Sequence, residues 1–299
     1  MKYVHTTRSI GDPMNTEYAK GFLLTALGVI VLSFDALLIR LVNTDEFSLL
    51  FWRGLLMTLM VSLWTLYRKP ELKLVQLDLP YIRSAILFAL SAIFFVSAIH
   101  HTSVANVLVI ISAQPLFAAV IAQFTIGEKS PPITWIAIFI CMLGIGWVMQ
   151  DSWSTPNLTG DLLALACALS LSSKFVNDRA VKDRDMTPAL VFAGGIIAIT
   201  GLFWGAPLSL QGNQWGWMLL LCLIVIPIAF ILITLGPTRI PAAEVGMLML
   251  LETIAGPLLV WLFISEAPSA NTLMGGSIVI LTLLTHSLLK LRSKHATAR

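Results

Sequence analysis

Long apolar runs separated by short polar stretches fill the chain, at about residues 21–42, 47–67, 81–100, 103–126, 132–150, 160–177, 188–208, 214–235, 241–264 and 271–291. Each is apolar all round, and each approaches the ~20 residues that cross a bilayer core as a helix. Strands of a closed barrel would instead alternate in runs of about ten residues. Because irregular backbone cannot face lipid, the pattern predicts an all-α integral membrane protein of ten transmembrane helices.

Polar residues inside the runs recur in register. The run from Ser103 to Glu128 is interrupted by Gln114-Pro115, and the run from Pro241 to Glu266 repeats its plan 138 residues later: Asn106 falls on Glu244, Gln114 on Glu252 and Glu128 on Glu266. Gly21 to Arg40 pairs with Gly160 to Arg179 at an offset of 139, matching at six of twenty positions, and Asp45, Leu50 and Gly54 pair with Asp185, Leu190 and Gly194 at 140. Segments that share nearly one offset point to two related halves. With five spans in each, the halves must lie in opposite orientations, which predicts two inverted five-helix repeats around a central cavity, the architecture of alternating-access carriers. The expected organisation is a leader at 1–19, a first repeat at 20–151, a second, inverted repeat at 152–292 and a tail at 293–299.

Composition agrees: 57% of the 299 residues are hydrophobic, 12% are charged and the mean hydropathy is +0.86, against roughly 25% charged in a soluble domain. No stretch remains for a separate soluble domain. The first run lacks a cleavage site and reads as a span, not a signal peptide; the residues before Met14 read as a flexible leader or an upstream start. Cys141, Cys167 and Cys222 lie inside apolar runs, without metal-ligand spacing or a disulfide framework, and should pack as small hydrophobes.

The net charge is +3, and its distribution matters more than its sum. Lys2, Arg8, Lys20, Arg68, Lys69, Lys73, Lys129, Arg179, Lys182, Arg184, Arg239, Lys290, Arg292, Lys294 and Arg299 fall on one side of the ten-span plan, whereas the alternate loops, near Thr44, His101, Asp151 to Thr159, Gln211 and Ala267, contain no Lys or Arg. Retention of positive loops inside then places both termini in the cytoplasm and the protein in the inner (plasma) membrane. Trp52, Trp147, Trp153, Trp204, Trp215, Trp217 and Trp261 near one interface, with Trp64 and Trp135 near the other, fit an aromatic belt.

These residues carry a resemblance. The helix-one pattern with its mate, Trp52-Arg53, the Ala98 to Val104 run, Gln114-Pro115 followed by Gly127-Glu128-Lys129, and Glu252 to Pro257 followed by Ser265-Glu266 are similar to the drug/metabolite transporter superfamily, specifically its ten-helix EamA-type carriers, which include bacterial amino-acid exporters. The likeness spans Gly21 to Leu291, and it rests on the order and spacing of loose motifs. It implies helices one to four and six to nine around a cavity, with five and ten outside as supports. The second half departs from the family's Glu-Pro pattern, with Thr253 after Glu252 and the proline at Pro257.

A charge at membrane depth costs at least about 2.5 to 3.5 kcal/mol on insertion scales, so each faces a partner or a wet cavity. Glu252, the only carboxylate well away from both interfaces, is the leading substrate-binding candidate, by holding an ammonium or exchanging protons; Gln114, Asn106, Arg53 and Glu244 complete the expected cavity set. Asp35 with Arg53, and Lys174 with Glu244 as its inverted counterpart, are the expected gate pairs, and Pro115 and Pro257 the expected hinges. The bland readings are packing for Glu252 and Gln114 and snorkelling for Lys174. His100 and His101 diverge by about 100° on a helix and make a poor metal site.

No HExxH, GxSxG, phosphate loop or full GxGxxG occurs, so neither an enzyme nor ATP-driven transport is expected. Asn157-Leu158-Thr159 is formally a glycosylation sequon. The expected function is a secondary transporter that exports small metabolites, amino acids foremost, by alternating access, with the bilayer and a small-molecule substrate as partners, proton coupling as an option, a monomer as the working unit, and no cofactor, metal or nucleic acid. The alternatives are a multidrug or quaternary-amine carrier and, from a different class, a membrane scaffold without substrate.

Overall fold

Local bonding explains where the helices run and where they break. The computed structural model of the chain describes residues 13–68, 78–127, 132–150, 157–181, 184, 186–235 and 242–297. Glu128, the basic residues Lys2, Arg8, Lys69, Lys73, Lys129, Lys182, Arg239 and Arg299, and Pro237 and Pro241 lie outside these, as do the side chains of Glu244, Arg179, Lys290, Arg292 and Lys294.

The elements are α1 (Pro13–Leu32), α2 (Asp35–Val42), α3 (Glu46–Arg68), α4 (Leu79–His101), α5 (Val104–Ser112), α6 (Gln114–Thr125), α7 (Pro132–Met149), α8 (Asn157–Ala180), α9 (Thr187–Trp204), α10 (Asn213–Leu219), α11 (Ile226–Leu235), α12 (Ala242–Ile264) and α13 (Ala270–Thr297). Eight stretches are long and apolar enough to cross a membrane, and two shorter apolar ones, Leu251–Ile264 and Ala270–His286, lie where the ninth and tenth spans are expected. The fold is that of an all-helical, multi-pass membrane protein. Its outward faces carry Phe139, Phe203 and Leu262, all strongly exposed, while Ala85, Ala98, Ala164, Ala168, Ala193 and Ala229 are buried. Apolar surface turned to lipid and small residues between helices suit a bundle that has no hydrophobic drive for association.

Spans one, four and eight are interrupted. In the first, Ser33 Oγ bonds back to Val29 O at 2.9 Å, and Phe34 N reaches Val31 O, a three-residue step at 3.2 Å; such back-bonding bends helices. The fourth breaks at Ala113, because Pro115 has no N–H for the carbonyl four residues back. Before Pro227 the eighth widens into a π-turn, Leu220–Val225, in which Ile226 N donates to Leu221 O five residues back; the wider turn absorbs the proline. The seventh, expected to reach residue 208, ends at Trp204, where Gly205 is extended ahead of Pro207.

Helices α3 and α9 cross in backbone contact at two glycines. A Cβ on Gly54 would lie 2.6 Å from Gly194 O, and one on Gly194 would lie 2.9 Å from Gly54 O. The contact is reciprocal, and these two residues match each other in the internal repeat. Helices α7 and α13 pack on each other in the same manner through Gly144 and Gly275.

Among the described residues, the loops near Thr44, His101, Gln211 and Ala267, which lack Lys and Arg, gather at one end of the bundle, called the upper end below. Gln214 Nε2 donates to Asn43 O at 2.8 Å, Ala206 N to Ser48 Oγ at 2.9 Å, Trp52 Nε1 to Pro207 O at 2.9 Å and Trp215 Nε1 to Leu210 O at 3.0 Å. His100 lies within hydrogen-bond distance of Val96 O and Thr44 O, so it is engaged within the fold.

Candidate functional site

The bend at Ser33-Phe34 makes Asp35 the first residue of α2 and turns it into the bundle, where it is 2% exposed. Arg53, on α3 and 5% exposed, meets it with both ends of its guanidinium: Nη1 to Oδ1 is 2.6 Å and Nη2 to Oδ2 is 2.8 Å. This fork-to-carboxylate match is the strongest form of the pair. Arg53 also lies over the Phe95 ring of α4, 5.9 Å from its centroid.

Glu252, on α12, is close enough to feel the charges of both Asp35 and Arg53. Among the described residues it makes no hydrogen bond and no ion pair, and it is half-buried. Cys167 on α8 lies within electrostatic range of Glu252 and Arg53, and Cys222 in the π-turn within range of Arg53 and Asp35. Asp35 of α2, Arg53 of α3 and Glu252 of α12 thus lie in one cluster, with α8 and the π-turn beside it. Within it Asp35 and Arg53 satisfy each other, and the Glu252 carboxyl group is left without a partner among the described residues. All three cysteines are buried free thiols.

The remaining expected site residues lie apart from this cluster or are otherwise engaged. Gln114 is half-buried at the break in the fourth span; its carbonyl accepts from Ser172 Oγ at 2.9 Å, which ties the break to α8. Ser172 also bonds back to Ala168 O at 2.6 Å, the counterpart of the Ser33–Val29 bond at the repeat offset of 139. Pro115 sits in the first turn of α6, whereas Pro257 lies inside an unbroken α12. Lys174, expected opposite Glu244, pairs instead with Asp178 one turn along its own helix, Nζ to Oδ2 2.6 Å, and lies near the Phe88 and Phe175 rings. The Glu244 side chain lies outside the described residues.

Asn106, expected to face substrate, belongs to a buried polar network at the upper end. Its Nδ2 donates to Asp161 Oδ1 at 3.4 Å and its Oδ1 accepts from Thr272 Oγ1 at 2.5 Å. Thr102 Oγ1 donates to the same Asp161 oxygen at 2.8 Å, and Asp161 is fully buried, its Oδ2 without a partner among the described residues. Beside it, Arg40 at the end of α2 reaches Glu266, Nε to Oε2 3.1 Å and Nη2 to Oε1 3.3 Å. Glu266 Oε1 accepts from Val104 N at 2.9 Å, and Arg40 Nη2 donates to Thr102 O at 2.9 Å. Sequence reasoning passed over Asp161 and Thr272. The only signal toward the neighbouring ion pair was that Arg40 and Glu266 are landmarks of the repeat.

The sequence model described as the EamA-like transporter family matches residues 19–150 and again residues 158–288. No curated protein matches in sequence. A solved crystal structure that is 18% identical aligns with a TM-score of 0.66 over 91% of this chain and 98% of its own, a likeness that shows the fold alone.

Proposed function

This chain belongs to the EamA-like transporter family, and we propose that it is a ten-span secondary carrier whose two inverted repeats alternate access to a central cavity. It exports small metabolites that carry an ammonium group, amino acids among them, across the inner membrane, with both termini cytoplasmic and the upper end facing out. The observation that carries this reading is the Glu252 carboxyl group, without a partner among the described residues, in electrostatic range of a self-neutralised Asp35–Arg53 pair. A half-buried carboxyl group without a partner among the described residues offers a cationic group hydrogen-bond acceptors and, when ionised, charge. Further support for inverted repeats comes from the reciprocal Gly54–Gly194 crossing and from the Ser33 and Ser172 bonds at equivalent positions.

One feature alters the substrate contacts expected from sequence. Arg53 has both terminal nitrogens on Asp35, so it is not poised to receive a substrate carboxylate. In an amino acid, the carboxylate would meet neutral donors such as the Gln114 amide, which makes no hydrogen bond among the described residues. The same geometry favours a second reading, an amine or quaternary-ammonium carrier, because a lone carboxyl group suffices for a cargo that has no carboxylate of its own.

Thermal unfolding of the purified protein in detergent, with a panel of amino acids and of the matching decarboxylated amines, separates the readings. A ligand bound to the native state raises Tm by mass action. Shifts with amino acids and amines alike, lost in Glu252→Gln, support ammonium recognition; shifts with amines alone favour the second reading. A protein indifferent to every member of the panel would leave the scaffold alternative standing.

A further inference from the structure

We infer that Asp161 and the oxygens gathered round it form a binding site for a small, hard monovalent cation of the Na+ class. The inference goes beyond the carrier reading and does not rest on it. Asp161 is fully buried near the start of α8. Gly160, just before it, packs so closely on the α4–α5 turn that a Cβ there would lie 2.7 Å from His101 C and from Thr102 N. Backbone against backbone, that contact fixes where the next side chain enters the bundle. Its two partners are both neutral, Thr102 Oγ1 at 2.8 Å and Asn106 Nδ2 at 3.4 Å, and both donate to Oδ1. Oδ2 is buried without a partner, and Asp161 makes no ion pair among the described residues. Arg40, the base beside this network, directs Nε and Nη2 to Glu266 and Nη2 also to Thr102 O. An ionised carboxylate buried beside neutral partners alone is costly, and a bound cation removes that cost.

The groups around the carboxylate can turn to hold such an ion without losing their own bonds. Thr102, Asn106 and Thr272 are all buried. Thr272 Oγ1 donates to Asn106 Oδ1 at 2.5 Å and lies 2.9 Å from Ser269 Oγ, where either hydroxyl can be the donor. With an ion bound, the Asn106 amide turns over. Its Nδ2 then donates to Thr272 Oγ1, whose hydroxyl turns to Ser269 Oγ, and its oxygen faces Asp161 Oδ1. Two oxygens facing each other across the present 3.4 Å repel unless a cation lies between them. Calcium-sized hard cations hold oxygens at about 2.3–2.6 Å, which sets two ligands at right angles roughly 3.3–3.7 Å apart. The donor set chooses the ion. One carboxylate among neutral oxygens suits a single positive charge, whereas Ca2+ gathers about six to eight oxygens. Among the described residues no three His, Cys, Asp or Glu side chains come together as a transition metal would require. Asp161, Thr102 and the Asn106 oxygen are the proposed ligands, and Thr272 is a positioning residue that steadies the turned amide.

The test is equilibrium binding of radioactive Na+ to the full-length protein in detergent, read by scintillation proximity, with ionic strength held constant by choline chloride. The expected result is saturable binding that unlabelled Na+ displaces and choline does not, weakened at least tenfold in Asp161→Asn. Na+ should also raise Tm where choline does not, and Asp161→Asn should abolish that rise. Thr272→Val leaves the charge in place and removes only the acceptor of the turned amide. It should weaken binding several-fold, and it covers the case in which Asp161→Asn does not fold. No saturable binding to the unmodified protein, or equal binding in the folded variants, would overturn the site. Binding kept in Asp161→Asn and lost in Glu252→Gln would overturn it as well, by moving the ion to the Glu252 cluster. Na+ bound at Asp161 by a protein that ignores every amine and amino acid would uphold the site and count against the carrier reading alone.

Discussion

Asp35 and Arg53 bind each other with both of their polar ends, at 2.6 and 2.8 Å, across the bend of the first span and the second helix. The pair spends an arginine that would otherwise be the obvious receptor for a substrate carboxylate. It also leaves the Glu252 carboxyl group as the member of the cluster without a partner among the described residues.

The pair should behave as a buried unit in stability. Asp35→Leu and Arg53→Met should each cost about 3–5 kcal/mol, because each strands the other's charge, and the double variant should recover most of that loss. Thermal or denaturant unfolding in detergent measures it. Losses that simply add in the double variant would contradict the pairing.

The α3–α9 crossing has no room for a side chain at its centre. Gly54→Leu should lower stability by at least the ~1–3 kcal/mol typical of overpacking, because the nearest obstacles, Ala198 N and the Gly194 carbonyl, are backbone. Gly146→Ala, where a Cβ would meet nothing within 4 Å, should be close to neutral. Melting temperatures of the two variants side by side decide the point, and equal values would exclude the close crossing.

The break in the fourth span should be a consequence of Pro115. Pro115→Ala restores an N–H for the Ile111 carbonyl and should slow amide exchange across Ile111 to Phe117. If the break is a working hinge, net flux should fall several-fold while Tm holds or rises. Exchange that is unaltered by the substitution would show that tertiary packing, and not the proline, breaks the helix.

Much of the fold was legible because lipid imposes a simple rule: spans must be about 20 residues long and apolar all round. Repeated polar landmarks then exposed the internal repeat, and its pair Gly54 and Gly194 proves to be in direct backbone contact. The break at Ser33 was not legible, since no proline or glycine marks it and a serine back-bond is common in unbroken helices. Asp161 was missed for a related reason: it follows Asn157 and Thr159 at the polar start of the sixth span and reads as an interface residue, while only the arrival of Thr102 and Asn106 from other helices buries it. Lys174 drew attention by its depth and its repeat partner, yet Asp178, one turn away, is the nearer anion. Local spacing located the charges well but could not choose their partners.

The most direct test of the central claim, that Glu252 is the cargo-binding carboxylate of a carrier, is flux in proteoliposomes. Efflux of labelled amino acids and of their decarboxylated amines is followed with and without a pH gradient, for the unmodified protein and for Glu252→Gln. The account predicts saturable flux of at least one ammonium-bearing solute, reduced at least tenfold by the substitution. Flux that is the same in both proteins would contradict it.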